Sequence, residues 1–240
     1  MDILRSDGLE YIGYRNGRAV AAFFTANNDL DFFIQGANFQ ENIDRVKEVF
    51  KLKAVGYGRQ IHSDIINVFD GTVIDGDALV TDKTGTAVGI FTADCVPLLL
   101  YDKGKDVCAA VHSGWKGTYV RITSKTITLM KERFGSKPED ITVFIGPHIG
   151  ACCYEVGQDL IDLFRSDSLY MGYPINSERQ LDLEMCIRVQ CLHEGIREEN
   201  INSTGLCTYC SGDKEEIRFH SYRREREKSG RMFSLVYIEE

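Results

Sequence analysis

Short apolar runs bounded by Gly, Asp and Asn residues dominate the chain, and this pattern is typical of β-strands. The runs predict strands at residues 9–12, 19–25, 54–58, 65–69, 78–81, 86–92, 96–101, 107–111, 141–145, 201–204 and 232–238. Several connections have hairpin length, so we expect neighbouring strands to run antiparallel there. The expected sheet is therefore mixed rather than purely parallel.

Apolar residues at helical spacing predict helices at residues 41–52, 156–164 and 183–194, and one more after Gly117 that continues to about Phe134. Asp182 is a good N-cap, and Gly135 and Gly195 are good C-terminal stops. Because no repeat or linker interrupts residues 1–240, we expect one α/β domain with sheet in the middle and helices outside.

The segment 92–117 contains the most informative chemistry, because two of the predicted strands and a tight turn form a hairpin there. Cys95 precedes the outgoing strand and His112 ends the return strand, so both lie at the open end of the hairpin. With His62 from upstream, two histidines and one cysteine would give zinc three ligands and leave one position open for water. That is the arrangement of a catalytic site.

Each of these three residues also has an ordinary structural explanation. A lone Cys in an apolar strand is commonly a small core residue, and a lone His is commonly a hydrogen-bonded polar residue. Spacing alone favours this explanation for any single one of them. Copper also accepts one Cys and two His, but without an axial ligand or a second copper site zinc fits better.

The histidine count disfavours a multicopper oxidase, which needs many histidines, often in H-x-H pairs. The chain has five histidines and no H-x-H: His62, His112, His148, His193 and His220.

The remaining cysteines give weaker signals. Cys207 and Cys210 form a CxxC pair, which could be redox-active or bind metal. Because no second CxxC accompanies it, a zinc ribbon would lack half its ligands, and we expect reduced, partly buried thiols. Cys152 and Cys153 are adjacent, which makes them a poor pair for one metal or one disulfide, so packing is their expected role.

The net charge and the targeting signals limit the classes of partner that we expect. The net charge of -8 argues against nucleic-acid binding. No apolar run is long enough for a membrane helix, and the N-terminus lacks a signal-peptide core. Eight unevenly placed cysteines without a signal indicate reduced thiols, so we expect a cytoplasmic protein.

A local group of arginines, Arg223, Arg224 and Arg231, stands out near the C-terminus of this acidic chain. Guanidinium groups match phosphate oxygens, whereas a solvated surface loop is the ordinary alternative. Lys116, in a Gly-Trp-Lys-Gly turn before a helix, could add a second phosphate contact. The sequence leaves these interpretations evenly balanced.

Six motifs in order resemble the YfiH-like, or laccase-domain, family and extend over most of residues 60–238. They are Q-I-H-S at 60–63, T-A-D-C-V-P-L-L-L at 92–100, V-H-S-G-W-K-G at 111–117, G-P-H-I-G-A-C-C-Y-E-V at 146–156, C-T-Y-C at 207–210, and S-Y-R-R followed by G-R-M. Two departures are Lys116, where the family usually has Arg, and residues 26–37, which lack the family's Gly/Ser-rich stretch.

The resemblance implies a single-domain α/β/β/α sandwich with mixed sheets and one zinc ion held by His62, Cys95 and His112. It also implies phosphorolysis of adenosine, inosine or methylthioadenosine, and hydrolytic deamination of adenosine, with purine nucleoside and phosphate as partners. Asp94 and Asp64 are then the nearest candidate proton carriers or partners of the imidazoles.

Three alternatives stay open beside this activity. The family also carries a proposed role as an amidase-like hydrolase that edits peptidoglycan precursors. Its name implies a polyphenol oxidase, which the histidine count disfavours. A non-enzymatic metal-binding or scaffold protein with a vestigial site is the alternative from another class.

Overall fold

The structure is a computed structural model that describes residues 2–211 and 218–240. Two mixed six-stranded sheets form its centre. The first sheet has the order β1 (Asp2–Ser6), β2 (Leu9–Asn16), β3 (Ala19–Phe24), β14 (Met232–Ile238), β7 (Thr86–Thr92) and β4 (Ala54–Gly56). Its pairs are antiparallel except β4 with β7.

The second sheet carries the hairpin predicted from the sequence. Its order is β13 (Ile201–Ser203), β10 (Ile141–Ile145), β8 (Val96–Asp102), β9 (Val107–Ser113), β6 (Ala78–Thr81) and β5 (Ile66–Val68). The end pairs β10–β13 and β5–β6 are parallel, and the inner pairs are antiparallel. A small separate ribbon joins β11 (Asn176–Ser177) and β12 (Gln180–Leu181).

The helices cover the outer faces of the two sheets. They are α1 (Phe39–Val49), α2 (Trp115–Tyr119), α3 (Ile122–Phe134), α4 (Gln158–Ser166), α5 (Leu183–His193) and α6 (Tyr222–Glu225). Short 3-10 helices lie at Asn27–Asp29, Pro138–Asp140, Ser168–Tyr170, Glu198–Asn200 and Arg226–Lys228. Among the described residues, no helix has the length and apolarity needed to cross a membrane.

Strand β8 shows how its sequence produces a layered core. Leu98 and Leu100 pack in the cluster shared with α3 and α5, whereas Leu99 and Tyr101 pack in the cluster between the two sheets. Successive side chains of a strand point to opposite faces, so both faces must be apolar when both are covered. This explains the uninterrupted apolar run that the sequence shows here.

The layers observed are helix, sheet, sheet and helix. A third apolar cluster places Ile43 and Val46 of α1 against Phe24 and Phe233 of the first sheet. The sandwich implied by the family resemblance is therefore confirmed. The expectation of sheet in the middle and helices outside is confirmed as well. The apolar pattern did not show that the strands divide into two sheets, because a strand with two buried faces does not reveal whether a helix or a sheet covers it.

Two local predictions also need correction. The helix predicted from Gly117 to about Phe134 is two helices, because Arg121 between α2 and α3 takes a left-handed conformation with φ 62°. Its guanidinium binds the Asp167 carboxylate at 2.6 and 2.7 Å, which holds this break in place. Strand β1 was not predicted, because an exposed edge strand carries little apolar pattern.

Candidate metal centre and its cavity

The three predicted metal ligands meet at one end of the second sheet. Cys95 lies in the loop between β7 and β8, and His112 lies near the end of β9, where it pairs with Pro97 across the hairpin. His62 reaches them from the loop before β5 and has a left-handed backbone with φ 58°. The hairpin argument from the sequence therefore placed Cys95 and His112 together as expected.

The spacing of the three side chains suits a single metal ion. Their ligand atoms all lie within 4.8 Å of one another, and Cys95 Sγ is 4.0 Å from His62 Nε2. Tetrahedral zinc with its usual bond lengths requires a sulfur–nitrogen separation of about 3.6 Å. A small inward movement of either side chain would therefore close the site around a metal.

Asp77 is the residue that organises this centre. Its buried carboxylate binds His112 Nδ1 at 2.8 Å and accepts the backbone N–H of His62 at 3.0 Å. It also accepts the N–H and the hydroxyl of Ser63, both at 2.7 Å. With Nδ1 of His112 bound to Asp77, Nε2 is the nitrogen left for a metal.

No pattern in the sequence singled out Asp77. Asp94 and Asp64 were expected as proton carriers or partners of the imidazoles, but Asp77 is the carboxylate that binds His112. Asp64 forms an ion pair with Lys125 instead, and Asp94 hydrogen-bonds other groups. The available signal was the position of Asp77, directly before a strand that pairs with the strand of His112.

The electrostatics of the centre favour a thiolate. Burial raises the pKa of the Cys95 thiol, but His112 and His62 together lower it to about 6. Burial lowers the pKa of His112, whereas Cys95 and Asp77 raise it to about 9. Burial raises the pKa of Asp77, but hydrogen bonds from His112 and Ser63 lower it to about 2. A thiolate at neutral pH is the form that binds metal.

Close backbone approach at the centre requires glycine. A Cβ at Gly114 would lie 2.9 Å from Cys95 Sγ and 3.4 Å from the His62 ring. Gln60 fixes the same loop from the other side, because its side-chain amide exchanges two 2.7 Å hydrogen bonds with the backbone of Phe91. The loop of His62 is therefore held in position by several elements.

Asp94 joins the centre to two other loops. It has a left-handed backbone with φ 85°. One carboxylate oxygen accepts the Thr208 hydroxyl at 2.6 Å, and the other accepts the backbone N–H of Arg223, also at 2.6 Å. Asp94 thus ties the loop of Cys95 to the start of α6.

The candidate metal centre lies on the wall of a cavity of about 550 Å³, a volume typical of small-molecule sites. A second cavity of about 390 Å³ shares His62, Asp94 and Cys95 and extends to Trp115 and Lys116. The larger cavity is lined by Phe32, Phe33, Ile34, Gly58, Arg59, Gln60, His62, Phe91, Thr92, Ala93, Asp94, Cys95, His112, Ile149, Tyr154, Tyr222, Arg223 and Arg231. The centre is therefore open to ligand from two sides.

Arg231, one of the arginines predicted to bind phosphate, lines the larger cavity. Its Nη1 donates to the carbonyls of Ser229 and Gly230, both at 2.8 Å. Its guanidinium also lies 5.5 Å from the centre of the Phe33 ring. At this distance the ring attracts the cation, which helps to hold the guanidinium at the cavity wall.

Arg223 lines the same cavity next to the metal centre. Its Nη1 donates to the carbonyls of Cys153 and Glu155 at 3.4 and 3.0 Å. Its guanidinium lies 5.4 Å from the centre of the Tyr154 ring. Arg223 is thereby fixed by the loop that follows β10.

Arg224 and Lys116 lie apart from this pair. Arg224 is not among the cavity-lining residues that the structure describes; it donates to the carbonyls of Thr208 and Tyr209 at 3.0 and 3.2 Å. Lys116 lines the smaller cavity, with Nζ 5.7 Å from the Trp115 ring centre. The structure therefore brings Arg223 and Arg231 to one cavity and places Lys116 in the other.

Cys152 and Cys153, for which we expected packing, are exposed and half-buried respectively and do not lie in the core. Their thiols and those of Cys207 and Cys210 form one cluster in which all four sulfurs lie within 4.8 Å of one another. Adjacent cysteines looked unsuitable for one metal because the sequence could not show that the CxxC loop packs against them.

A ligand-sized cavity with a thiolate and two imidazoles on its wall defines an α/β enzyme with a candidate metal centre. The family described as "Multi-copper polyphenol oxidoreductase laccase" matches residues 15–239. The chain belongs to this family, which includes the YfiH and YlmD proteins.

Individual relatives support the same assignment. A purine nucleoside phosphorylase of Clostridium acetobutylicum is 46% identical over 238 residues, which are 98% of this chain and 99% of the relative. The purine nucleoside phosphorylase YlmD of Bacillus subtilis is 31% identical over 94% of this chain and 77% of its own length. A protein named adenosine deaminase RL5, from an unknown prokaryotic organism, is 32% identical over 67% of this chain and 62% of its own.

Solved structures of the family share the architecture. YlmD of Geobacillus stearothermophilus superimposes with a TM-score of 0.86 at 27% identity, over 99% of this chain and 98% of that one. A Bacillus licheniformis protein, YfiH, gives a TM-score of 0.85 at 28% identity over 96% of each chain.

Proposed function

We propose that the protein is a zinc-dependent purine nucleoside phosphorylase that acts on adenosine, inosine and methylthioadenosine. One observation carries this proposal: His62, Cys95 and His112 converge on the wall of a cavity that also presents Arg223 and Arg231. The names of the relatives from Clostridium acetobutylicum and Bacillus subtilis support the same reaction.

Phosphorolysis sets three demands on the site. An oxygen of inorganic phosphate forms a bond to C1′ of the ribose, and the bond from C1′ to N9 of the purine breaks. The purine leaves with the electron pair of that bond and takes up a proton. The site must therefore hold a flat base, hold an anion beside the ribose, and supply a proton.

The aromatic rings of the cavity suit the base. Phe33, Tyr154 and Tyr222 line the larger cavity and offer flat apolar faces to a purine. Tyr154 and Tyr222 line the smaller cavity as well. The base can therefore stack beside the metal centre from either side.

The two arginines suit the phosphate. Within the described part of the chain, the side-chain hydrogen bonds of Arg223 and Arg231 use only Nη1. A guanidinium has five N–H donors, so donors on the other nitrogens are available to a phosphate oxygen. We assign these two residues to phosphate binding, and Lys116 to a lesser contact from the smaller cavity. Arg224, predicted for the same role, instead fixes the loop of Thr208.

The donor set fits zinc better than copper. A zinc ion held by His62, Cys95 and His112 would supply Lewis-acid chemistry and lower the pKa of a bound water. Asp77 orients His112 and fixes the backbone of His62. Of the described residues, Asp94 is the one carboxylate that lines both cavities. We therefore assign it to proton transfer.

A second reaction, hydrolytic deamination of adenosine, uses the same centre. Water adds at C6 of adenine, ammonia leaves, and inosine is the product. The family relative named adenosine deaminase favours this reaction, and so does the set of three donors, which would leave a zinc ion able to bind water. It needs no phosphate, which separates it experimentally from phosphorolysis.

Chromatography of product mixtures tests both reactions. Protein of measured metal content is incubated with adenosine, with and without phosphate. We expect adenine and ribose 1-phosphate only when phosphate is present. We expect inosine in both conditions, with hypoxanthine formed from it when phosphate is present. Absence of every product from zinc-replete protein would contradict the proposed function, and hydrolysis of a muramyl-amino acid bond without phosphate dependence would replace it with the editing reaction.

A further inference from the structure

Four cysteine thiols form a second cluster beside the larger cavity. Cys152 and Cys153 lie in the loop before α4, and Cys207 and Cys210 lie in the loop after β13. All four are free thiols, and their sulfurs lie within 4.8 Å of one another. Cys207 is buried, whereas Cys152 is exposed, so the cluster extends from the interior to the surface.

The distances match a metal bound only by sulfur. Tetrahedral zinc with Zn–S bonds of about 2.3 Å separates its sulfurs by about 3.8 Å. Cys152 Sγ and Cys210 Sγ lie 3.7 Å apart. We propose that Cys152, Cys153, Cys207 and Cys210 bind one zinc ion as a closed, four-sulfur structural site, separate from the His62–Cys95–His112 centre.

The backbone around the cluster is arranged for thiolate ligands. The N–H of Gly150 donates to Cys207 Sγ at 3.3 Å, and the Cys207 N–H donates to the Ser211 hydroxyl at 2.8 Å. A Cβ at Gly150 would lie 3.5 Å from Cys207 Cβ in the other loop and 3.3 Å from Cys152 Sγ in its own, so glycine leaves room for the thiols where the two loops meet. Such contacts orient metal ligands from outside the coordination shell.

Nearby positive charge compensates the cluster. Four thiolates and one divalent cation leave a net negative charge, which needs cationic neighbours. The Arg223 guanidinium binds the carbonyl of Cys153, and the Arg224 guanidinium binds the carbonyls of Thr208 and Tyr209. Each of the two loops that supply the thiols is therefore contacted by its own arginine.

A disulfide would explain less of this arrangement. It would join only two of the four sulfurs, and its formation needs an oxidant that neither the structure nor the proposed reaction supplies. A single divalent ion explains why all four thiols converge.

The proposed site would fix the walls of the larger cavity. The Cys152–Cys153 loop continues into Tyr154, which lines that cavity. The Cys207–Cys210 loop contains Thr208, whose hydroxyl binds Asp94. A metal that ties the two loops together would hold both contacts in place and would contribute its binding energy to folding.

Cobalt substitution tests this proposal without measuring nucleoside turnover. The full chain with Cys95→Ala is stripped of metal under reducing conditions and titrated with Co²⁺. Because Cys95 is absent, a sulfur-to-cobalt charge-transfer band can come only from other cysteines. We expect one equivalent of Co²⁺ with this band and the visible spectrum of tetrahedral four-sulfur coordination.

Two double variants locate the site. Cys95→Ala with Cys210→Ser should weaken cobalt binding at least tenfold and change the spectrum to three-sulfur coordination or abolish it. Cys95→Ala with Cys186→Ala, which removes a buried cysteine elsewhere, should leave the titration unchanged. A band that is absent from Cys95→Ala, or that survives Cys210→Ser unaltered, would overturn the proposal. So would a Cys152–Cys210 disulfide that mass spectrometry finds in protein purified in the presence of a reductant.

Discussion

The two cysteine-containing centres of this protein differ in every feature that separates a reactive site from a structural one. The first combines one thiol with two imidazoles, has Asp77 behind it, and opens on two cavities. The second contains four thiols contributed by two loops. A tetrahedral metal bound by all four thiols would have no coordination position left for water or substrate. The comparison shows that the number of cysteines alone does not indicate what they do. The groups around each thiol indicate whether it belongs to a reactive site or to a structural one.

Removing the thiol of the first centre should produce the largest effect. Cys95→Ala should lower kcat/KM for both proposed reactions by at least about 100-fold, because loss of a ligand exceeds the effect of losing a ligand's partner. Cys186→Ala should leave kcat/KM unchanged. Thermal unfolding would show that both variants fold, and near-normal turnover by Cys95→Ala would contradict the assignment.

Asp77→Asn should reduce zinc affinity or kcat/KM by about 10- to 100-fold, because the amide cannot hold His112 and the His62 loop with the same charge. Competition with a chelating dye measures the affinity. Asp64→Asn is the matched control, since Asp64 pairs with the exposed Lys125. Equal losses of zinc affinity or kcat/KM in the two variants would show that Asp77 has no special role.

Arg231→Met should raise KM for phosphate about tenfold or more, because a charge-assisted hydrogen bond contributes about 1.5–3 kcal/mol. The phosphate-independent deamination should change little. Arg231→Lys should recover part of the loss, since it restores the charge without the planar donors. A parallel loss of both activities would indicate a structural role for Arg231 instead.

Lys116→Ala should have the smallest effect, less than about fivefold on KM for phosphate, because partly exposed single charges contribute about 0–1 kcal/mol. Lys116 lies over Trp115 in the smaller cavity, apart from Arg223 and Arg231. An effect as large as that of Arg231→Met would place the phosphate in the smaller cavity.

The sequence predicted the features that depend on nearby residues. Cys95 and His112 came together because a short hairpin fixes its own ends, and most strands followed from their apolar runs. His62 was proposed as the third ligand from its residue type, and the structure brings its side chain to that end although no local pattern shows it. Arg223, Arg224 and Arg231 were proposed together from their charge, and only Arg223 and Arg231 line the larger cavity.

The features that depend on long-range contacts were missed. Asp77 binds a histidine 35 positions away, and Cys152 meets Cys210 across 58 positions. Neither pair has a local signature, because loop packing alone creates the contact. Arg224 resembled Arg223 in the sequence, yet their guanidinium groups bind different loops.

Stepwise zinc reconstitution tests the central assignment most directly. Wild-type protein stripped of metal is supplied with increasing Zn²⁺, and phosphate-dependent release of adenine from adenosine is measured beside bound zinc. Turnover should be absent at first and should rise with zinc occupancy in the wild type, while Cys95→Ala stays inactive at every zinc concentration. Turnover by the metal-free protein, or by zinc-treated Cys95→Ala, would contradict a catalytic metal at His62, Cys95 and His112.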